Sequence, residues 1–248
     1  MTSRRQLMRR VRSRLPRRLG VIADRFDQDR RVRLRHPVVW GNLRRQEGFA
    51  IPFAEGRGGA VDRVYIERFL SDHRRFVRGR VLEVRDATYA HRFGHSLLSV
   101  DVLDIDQSNP HATLIADLGT VDSLPSRAYD CMVVTQTIYL IPNMRVAMAN
   151  LRRALDIGGT LLLTAPVLGP ATDPVGQDAF RVTPLGLRHL TAEFANEGDD
   201  VEVVGLGNRV ASIAFLTGMA IEDLRPRDIE FDDELCPLIA CLRLTRLS

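Results

Sequence analysis

The sequence contains no lysine, since all 35 of its strongly basic side chains are arginines. A Schiff-base lysine and the lysine of a P-loop are therefore excluded. Cysteine is scarce, with three widely spaced residues and no C-x-x-C pair, which argues against a disulfide framework and against a zinc or other metal site. No run of about 18 apolar residues and no apolar secretory segment is present, so we expect a cytoplasmic protein without a membrane span.

Positive charge is concentrated at one end of the chain. The first 45 residues carry 15 arginines against three aspartates, whereas the remainder carries 20 arginines against 28 acids. We interpret residues 1–35 as an Arg-rich arm, either a basic amphipathic helix that contacts an anionic partner or a solvated tail. The acidic remainder argues against a broad nucleic-acid footprint.

Apolar periodicity predicts two regions after the arm. Residues 36–79 comprise a connector and a lid helix over 61–70, with the apolar side chains of the helix on one stripe. Residues 80–248 alternate short apolar runs with helical patterns, which predicts an α/β, doubly wound, Rossmann-like domain. We expect a seven-stranded, mostly parallel sheet with a late antiparallel strand. The predicted strands are 81–84, 99–103, 112–115, 131–135, 160–164, 201–204 and 238–244.

Acidic or amide side chains end the first four predicted strands. They are Glu83, then Asp104 or Asp106, then Asp117, then Gln136. Ligands of a doubly wound sheet bind at the carboxyl ends of its strands, and an acid about 20 residues after the first strand can accept from ribose hydroxyls. The same residue types are ordinary at turns and caps, so it is their order that favours a binding site.

The turn after the first predicted strand lacks the glycines of a cofactor loop. An E-x-G-x-G-x-G pattern would place them at Arg85, Ala87 and Tyr89. Glycine there allows unusual φ values and close approach of a ligand to the backbone. Arg85 leaves three alternatives: it fills the pocket, it pairs with a ligand carboxylate, or it points to solvent from a β-region backbone that needs no glycine.

Several segments resemble class I S-adenosylmethionine-dependent methyltransferases. Residues 116–125 and 129–137 resemble the third and fourth strand regions of that family, and residues 151–166 resemble its following helix and fifth strand. In more detail the chain is similar to a bacterial subgroup found among sugar and natural-product tailoring genes. The subgroup has a G-N-L-R-R stretch, here at 41–45, a D-R-x-Y-I-E-R-F-L helix, here at 62–70, and an R-F-T segment after the fifth strand, here R-V-T at 181–183.

The resemblance implies S-adenosylmethionine as the cofactor and assigns roles to the strand-end residues. Glu83 would lie near the methionine amino group, Asp106 at the ribose, Asp117 at the adenine amine with Leu118 beside it, and Gln136 at the methionyl end. Arg85 departs from the subgroup, which keeps glycine at that position. Candidate bases or pocket residues for the reaction are Tyr89, His91, Tyr139 and Asp178.

Three functions fit the sequence. The first is a methyltransferase acting on a hydroxyl or amine of a small molecule such as a secondary metabolite or sugar. The second is an enzyme of the same fold that has lost methyl transfer and catalyses a cyclisation or rearrangement. The third is a non-catalytic binding protein. The sequence leaves the acceptor and the oligomeric state open, with a homo-oligomer among the alternatives.

Overall fold

The computed structural model describes residues 30, 34–35, 37–50, 54–171 and 178–248. By its internal contacts the chain separates into two units, residues 1–46 and 47–248. Most of the predicted Arg-rich arm lies outside the described residues. The division at residues 35 and 79 stays a prediction, and the helix near 62–70 lies in the same unit as the strands. None of the helices in the described residues is long and apolar enough to cross a bilayer.

The second unit alternates helices and strands as the apolar pattern predicts. Its helices are α1 (Val61–Asp72), α2 (Thr88–Phe93), α3 (Met144–Ala154), α4 (Pro184–Ala192), α5 (Arg209–Leu216) and α6 (Pro226–Ile229). Its strands are β1 (Gly79–Val84), β2 (Leu97–Asp104), β3 (Leu114–Ile115), β4 (Tyr129–Thr135), β5 (Leu155–Pro166), β6 (Asp200–Leu206) and β7 (Ile239–Thr245).

The strands form one seven-stranded sheet in the order β3-β2-β1-β4-β5-β7-β6. Neighbouring strands from β3 to β5 are parallel, and β7 is antiparallel to both β5 and β6. The predicted doubly wound, Rossmann-like sheet with a late antiparallel strand is therefore confirmed. Because the strand order reverses between β1 and β4, their carboxyl ends form the switch point at which such sheets bind ligands.

Successive side chains of the central strands point to opposite faces of the sheet and belong to two separate hydrophobic cores. Leu82 and Met132 point to the face covered by α3, whereas Val81 and Val133 point to the opposite face, which α1 covers. All four are fully buried or nearly so. Each such side chain stabilises the fold by about 1.5–3 kcal/mol relative to exposure, so the sheet positions the switch point rigidly.

The connections on both sides of β3 contain no helix. Residues 105–113 and 116–128, all of them described, form turns and extended segments, and β3 itself is two residues long although 112–115 was predicted. These connections are rich in Asp, Asn, Ser and Pro, whose side chains satisfy backbone groups in turns. The sheet edge nearest the candidate site is therefore organised by side-chain hydrogen bonds.

Asn150 on α3 holds the connection that follows β3. Its side-chain amide donates to the carbonyl oxygens of Leu118 and Thr120 at 3.0 and 2.7 Å, and its nitrogen lies 3.1 Å from Ser123 Oγ. Asn150 is 3% exposed. The loop carbonyls thus obtain a donor from a helix on the neighbouring layer instead of from a strand.

Glu83 connects β1 to α2. Its carboxyl is buried, and its two oxygens accept from the backbone amides of Tyr89 at 3.0 Å and Ala90 at 2.7 Å. These amides belong to the first turn of α2, where no intrahelical acceptor exists. Burial raises the pKa of Glu83 to about 7, even though the two amides favour the ionised form.

We expect Asn150→Ala to lower the free energy of unfolding by about 1–3 kcal/mol, because it leaves the carbonyls of Leu118 and Thr120 without a donor. Urea denaturation measures the change. The matched control is the exposed Asn196, whose amide donates to Ser248 Oγ. Its alanine variant should change stability by less than about 0.5 kcal/mol. Equal losses in both variants would contradict the anchoring role.

Glu83 should make stability pH-dependent. Because its folded-state pKa of about 7 lies above the ordinary carboxyl value, the folded state holds the proton more tightly. The resulting stabilisation is complete below about pH 4.5 and is lost as the pH rises through about 7. Between about pH 5 and pH 8 the free energy of unfolding of the unmodified protein should fall by about 2–3 kcal/mol because of Glu83. The Glu83→Gln variant should not show this decrease, because its side chain does not titrate.

Denaturant unfolding measured at a series of pH values tests this expectation. Glu197→Gln, at an exposed position, is the control, and its pH profile should follow that of the unmodified protein. If Glu83→Gln has the same pH profile as well, the buried carboxyl does not titrate in this range.

Candidate functional site

An open cleft of about 660 Å³ lies where β1 and β2 end. The turn between β1 and α2 forms one wall, and the connection after β2 forms the other. The cleft gathers three of the predicted site residues, Arg85, His91 and Asp106. Its full lining is Arg85, Asp86, Ala87, Thr88, His91, Asp104, Asp106, Asn109 and His111.

Arg85 adopts a backbone conformation that glycine favours. Its φ is +77°, in the left-handed region, where an L-residue is disfavoured by about 1–2 kcal/mol. The alternative that a β-region backbone carries Arg85 is therefore wrong. Its amide donates to the Leu103 carbonyl at 2.9 Å, and its carbonyl accepts from Asn109 Nδ2 at 2.7 Å. Bonds on both sides hold the residue in this conformation.

Asn109 joins the two walls of the cleft. Besides the Arg85 carbonyl, its Nδ2 donates to Asp104 Oδ2 at 2.6 Å, and its Oδ1 accepts from the His111 amide at 3.0 Å. Sequence reasoning missed Asn109. The run Ser-Asn-Pro at 108–110 marks a turn, but nothing in it shows that the side chain reaches a residue 24 positions earlier.

The carboxylates of the cleft also stabilise its turns. Asp106 Oδ1 accepts from the amide and hydroxyl of Ser108 at 2.8 and 2.7 Å, and these bonds lower the pKa of Asp106. Asp86 Oδ1 accepts from the Thr88 amide at 2.8 Å. Asp104 Oδ1 accepts from the Asp106 amide at 3.0 Å. The acidic side chains are therefore fixed in place before any ligand binds.

The residues after β3 lie outside the lining of this cleft. Asp117 is exposed, and its Oδ1 accepts from the Gly119 amide at 2.7 Å, so it caps its own turn. Leu118 is 4% exposed and belongs to the core that α3 covers. Contacts of this pair with an adenine ring stay a prediction.

Gln136 follows β4 and faces α1. Its φ is +47°, and its Nε2 donates to Asp62 Oδ2 at 3.0 Å. Asp62 Oδ1 and Gln136 Oε1 are buried, and neither has a hydrogen-bond partner among the described residues. Burial raises the pKa of Asp62 above its ordinary value, although the Gln136 bond opposes this.

Buried oxygens of this kind normally have donors, so a ligand donor beneath α1 would satisfy them. Sequence reasoning placed Asp62 only within a helix. A signal was available, because an acid beside the apolar stripe of a core-facing helix is unusual.

Of the four candidate catalytic residues, His91 is among those that line the cleft, and Tyr89, Tyr139 and Asp178 are not. The Tyr89 hydroxyl is buried and accepts from Arg63 at 2.5 Å, and burial raises its pKa in spite of that bond. Arg181 lies 5.4 Å from the centre of the buried Tyr139 ring. The same guanidinium forms an ion pair with Asp178.

Arg181 also donates to the carbonyl oxygen of Pro170 at 2.9 Å. The ion pair between Asp178 and Arg181 therefore belongs to a structural junction that connects residues 178–181 to the chain after β5.

The position of Glu83 indicates a structural role in the turn between β1 and α2. Both of its oxygens accept amides of α2, so the carboxyl fixes the turn that carries Arg85. A direct contact between Glu83 and the amino group of a cofactor stays a prediction.

Comparison with known proteins identifies the fold. No family model matches this chain, and no curated protein matches it. Among solved structures, the [4+2]-cyclase SpnF matches with a TM-score of 0.50 and 14% identity, over 81% of this chain and 87% of that one. Phosphoethanolamine N-methyltransferase 2 from Haemonchus contortus, in complex with S-adenosyl-L-methionine, matches with a TM-score of 0.50 and 15% identity.

The second match covers 73% of this chain and 52% of that protein. At these identities the likeness concerns the arrangement of strands and helices. The seven-stranded sheet and its covering helices have the fold of class I S-adenosylmethionine-dependent methyltransferases.

Proposed function

We propose that this chain binds S-adenosylmethionine in the cleft and transfers its methyl group to a hydroxyl or amine of a small molecule. The observation that carries the proposal is the polar cleft at the switch point, with a left-handed turn after β1 and fixed carboxylates after β2. The fold shared with a protein solved in complex with this cofactor supports it. Ligand binding at this edge is what the topology favours.

The polar groups present suit the parts of such a cofactor. Asp104 and Asp106 offer carboxylate oxygens to ribose hydroxyls at the wall formed by the β2 connection. Beneath α1, the unpartnered oxygens of Asp62 and Gln136 are acceptors for a ligand donor such as an ammonium group. The residues therefore fit the cofactor in their chemistry.

The main contribution of the protein to this reaction would be to position the cofactor and the acceptor relative to each other. When bound, the cofactor supplies an electrophilic methyl group on a sulfonium, and alignment of an acceptor with such a group provides most of the rate enhancement. The chain holds its turn in place through Glu83 and Asn109, and α1 covers the face next to β4. His91 is exposed at the cleft and is the one candidate base that lines it.

A second candidate function is favoured by how the other candidate bases are engaged. The Tyr89 hydroxyl is held by Arg63, and Asp178 is paired with Arg181. A cyclisation or rearrangement that depends on folding the substrate in a pocket needs no such base. SpnF, which shares the fold, is a [4+2]-cyclase. This candidate keeps the fold and replaces methyl transfer with another tailoring step.

Calorimetric titration with S-adenosylhomocysteine tests the cofactor site. We expect binding, and Asp106→Asn should weaken it by about tenfold, because an amide accepts hydroxyl hydrogen bonds less strongly than a carboxylate. Asp72→Asn, at an exposed position at the end of α1, should leave the affinity unchanged. Absence of a binding heat at about 1 mM ligand, where a binding free energy of only about −4 kcal/mol is detectable, would contradict the proposal.

Mass spectrometry separates the two enzymatic candidates. The protein is incubated with trideuteromethyl-labelled S-adenosylmethionine and a panel of sugars and phenols. For the methyltransferase we expect a product that carries the labelled methyl group and an equal amount of S-adenosylhomocysteine, both reduced in Asp106→Asn. A substrate converted without S-adenosylhomocysteine release would favour the cyclisation or rearrangement function.

A further inference from the structure

Arg85 combines an unfavourable backbone conformation with an unbound side chain. It is exposed at the cleft with φ +77°, in a position where glycine would relieve the strain. Among the described residues, its guanidinium forms no hydrogen bond or ion pair, and its bonds are those of its backbone. A strained residue with a free functional group at a cleft indicates a functional constraint.

The carboxylates around Arg85 have other partners. Asp86 accepts from Thr88, Asp104 from Asn109, and Asp106 from Ser108. Burial raises the pKa of Asp86, but hydrogen bonds from Thr88 lower it overall, and the charge of Arg85 adds only a small part of that lowering. The five N–H groups of a guanidinium form a fork that matches a carboxylate or a phosphate. Within the part of the chain that the structure describes, the Arg85 guanidinium is therefore a donor at the cleft without an acceptor.

The charges that line the cleft favour a carboxylate over a phosphate as the group that Arg85 binds. Three carboxylates and one guanidinium line it, together with two histidines. A ligand group with two negative charges would be repelled by the carboxylates, whereas a single carboxylate on a ligand that also carries positive charge would not. The amino-acid end of a methionyl sulfonium has this combination, with one carboxylate, one ammonium and a cationic sulfur.

We propose that Arg85 binds the carboxylate of the methionyl moiety and thereby replaces, with a charged side chain, the close backbone approach that a glycine loop provides. This inference rests on the proposed function. It makes Arg85 a specificity-determining residue, which selects ligands that retain the amino-acid part over those that end at the nucleoside.

Two ligands and two variants test the role of Arg85 by calorimetry. S-adenosylhomocysteine has the carboxylate, and 5′-methylthioadenosine has the same nucleoside without it. Arg85→Met keeps an unbranched, flexible stem and removes the guanidinium with its charge. It should weaken S-adenosylhomocysteine by about 10- to 100-fold, as expected for a lost charge-assisted pair, and change 5′-methylthioadenosine by less than about twofold.

Arg85→Gly removes the backbone strain together with the charge, and it should show the same ligand difference. Arg127→Gly is the matched control, because Arg127 is also an exposed arginine at positive φ (+53°) and lies outside the cleft lining. It should leave both affinities unchanged. Thermal unfolding of each variant confirms that the fold is retained.

Each other outcome overturns the inference in a recognisable way. Equal weakening of both ligands by Arg85→Met would show that Arg85 shapes the loop, and tighter S-adenosylhomocysteine binding would show that it obstructs the site. Unchanged binding would show that Arg85 has no role, while the proposed function stands. If the unmodified protein binds neither ligand, the proposed function fails and the inference fails with it.

Discussion

The site depends on the buried contact between the Glu83 carboxyl and the first turn of α2. The amides of Tyr89 and Ala90 donate to Glu83, which lies only a few residues earlier in the chain. The turn between β1 and α2 is therefore short and has a fixed conformation. In a glycine loop, backbone freedom allows such a turn. Here the turn carries Arg85 instead, and hydrogen bonds from Glu83 and Asn109 replace that freedom. These hydrogen bonds make the turn rigid, and the rigid turn forms one wall of the cleft.

The order of elements was predictable because apolar periodicity is a local property of the sequence. Short runs such as 131–135 and 160–164 carry their strand signal within themselves, and alternation with helices implies a parallel sheet. The length of β3 was not predictable, because two residues of pairing depend on Leu103 and Asp104 of the neighbouring strand.

One part of the candidate site was predictable, because the carboxyl ends of parallel strands meet at the same edge of a sheet. That rule brought Arg85 and Asp106 to one cleft. It could not predict the Asn109 bridge or the Asp62–Gln136 bond, because these join positions 24 and 74 residues apart and leave no periodic trace. The positive φ of Arg85 is likewise set by bonds to β2 and to the connection that follows it, and no local pattern encodes it.

Neighbouring residues at the start of α1 fasten that helix on two sides. Asp62 bonds to Gln136 after β4, and Arg63 bonds to the Tyr89 hydroxyl on α2. The first turn of α1 is thus held both to the end of β4 and to α2, whereas the cleft at the ends of β1 and β2 is open. Because the two bonds come from adjacent residues, a shift of that turn strains both of them together. The positions of Gln136 and Tyr89 are consequently coupled through a single turn of helix.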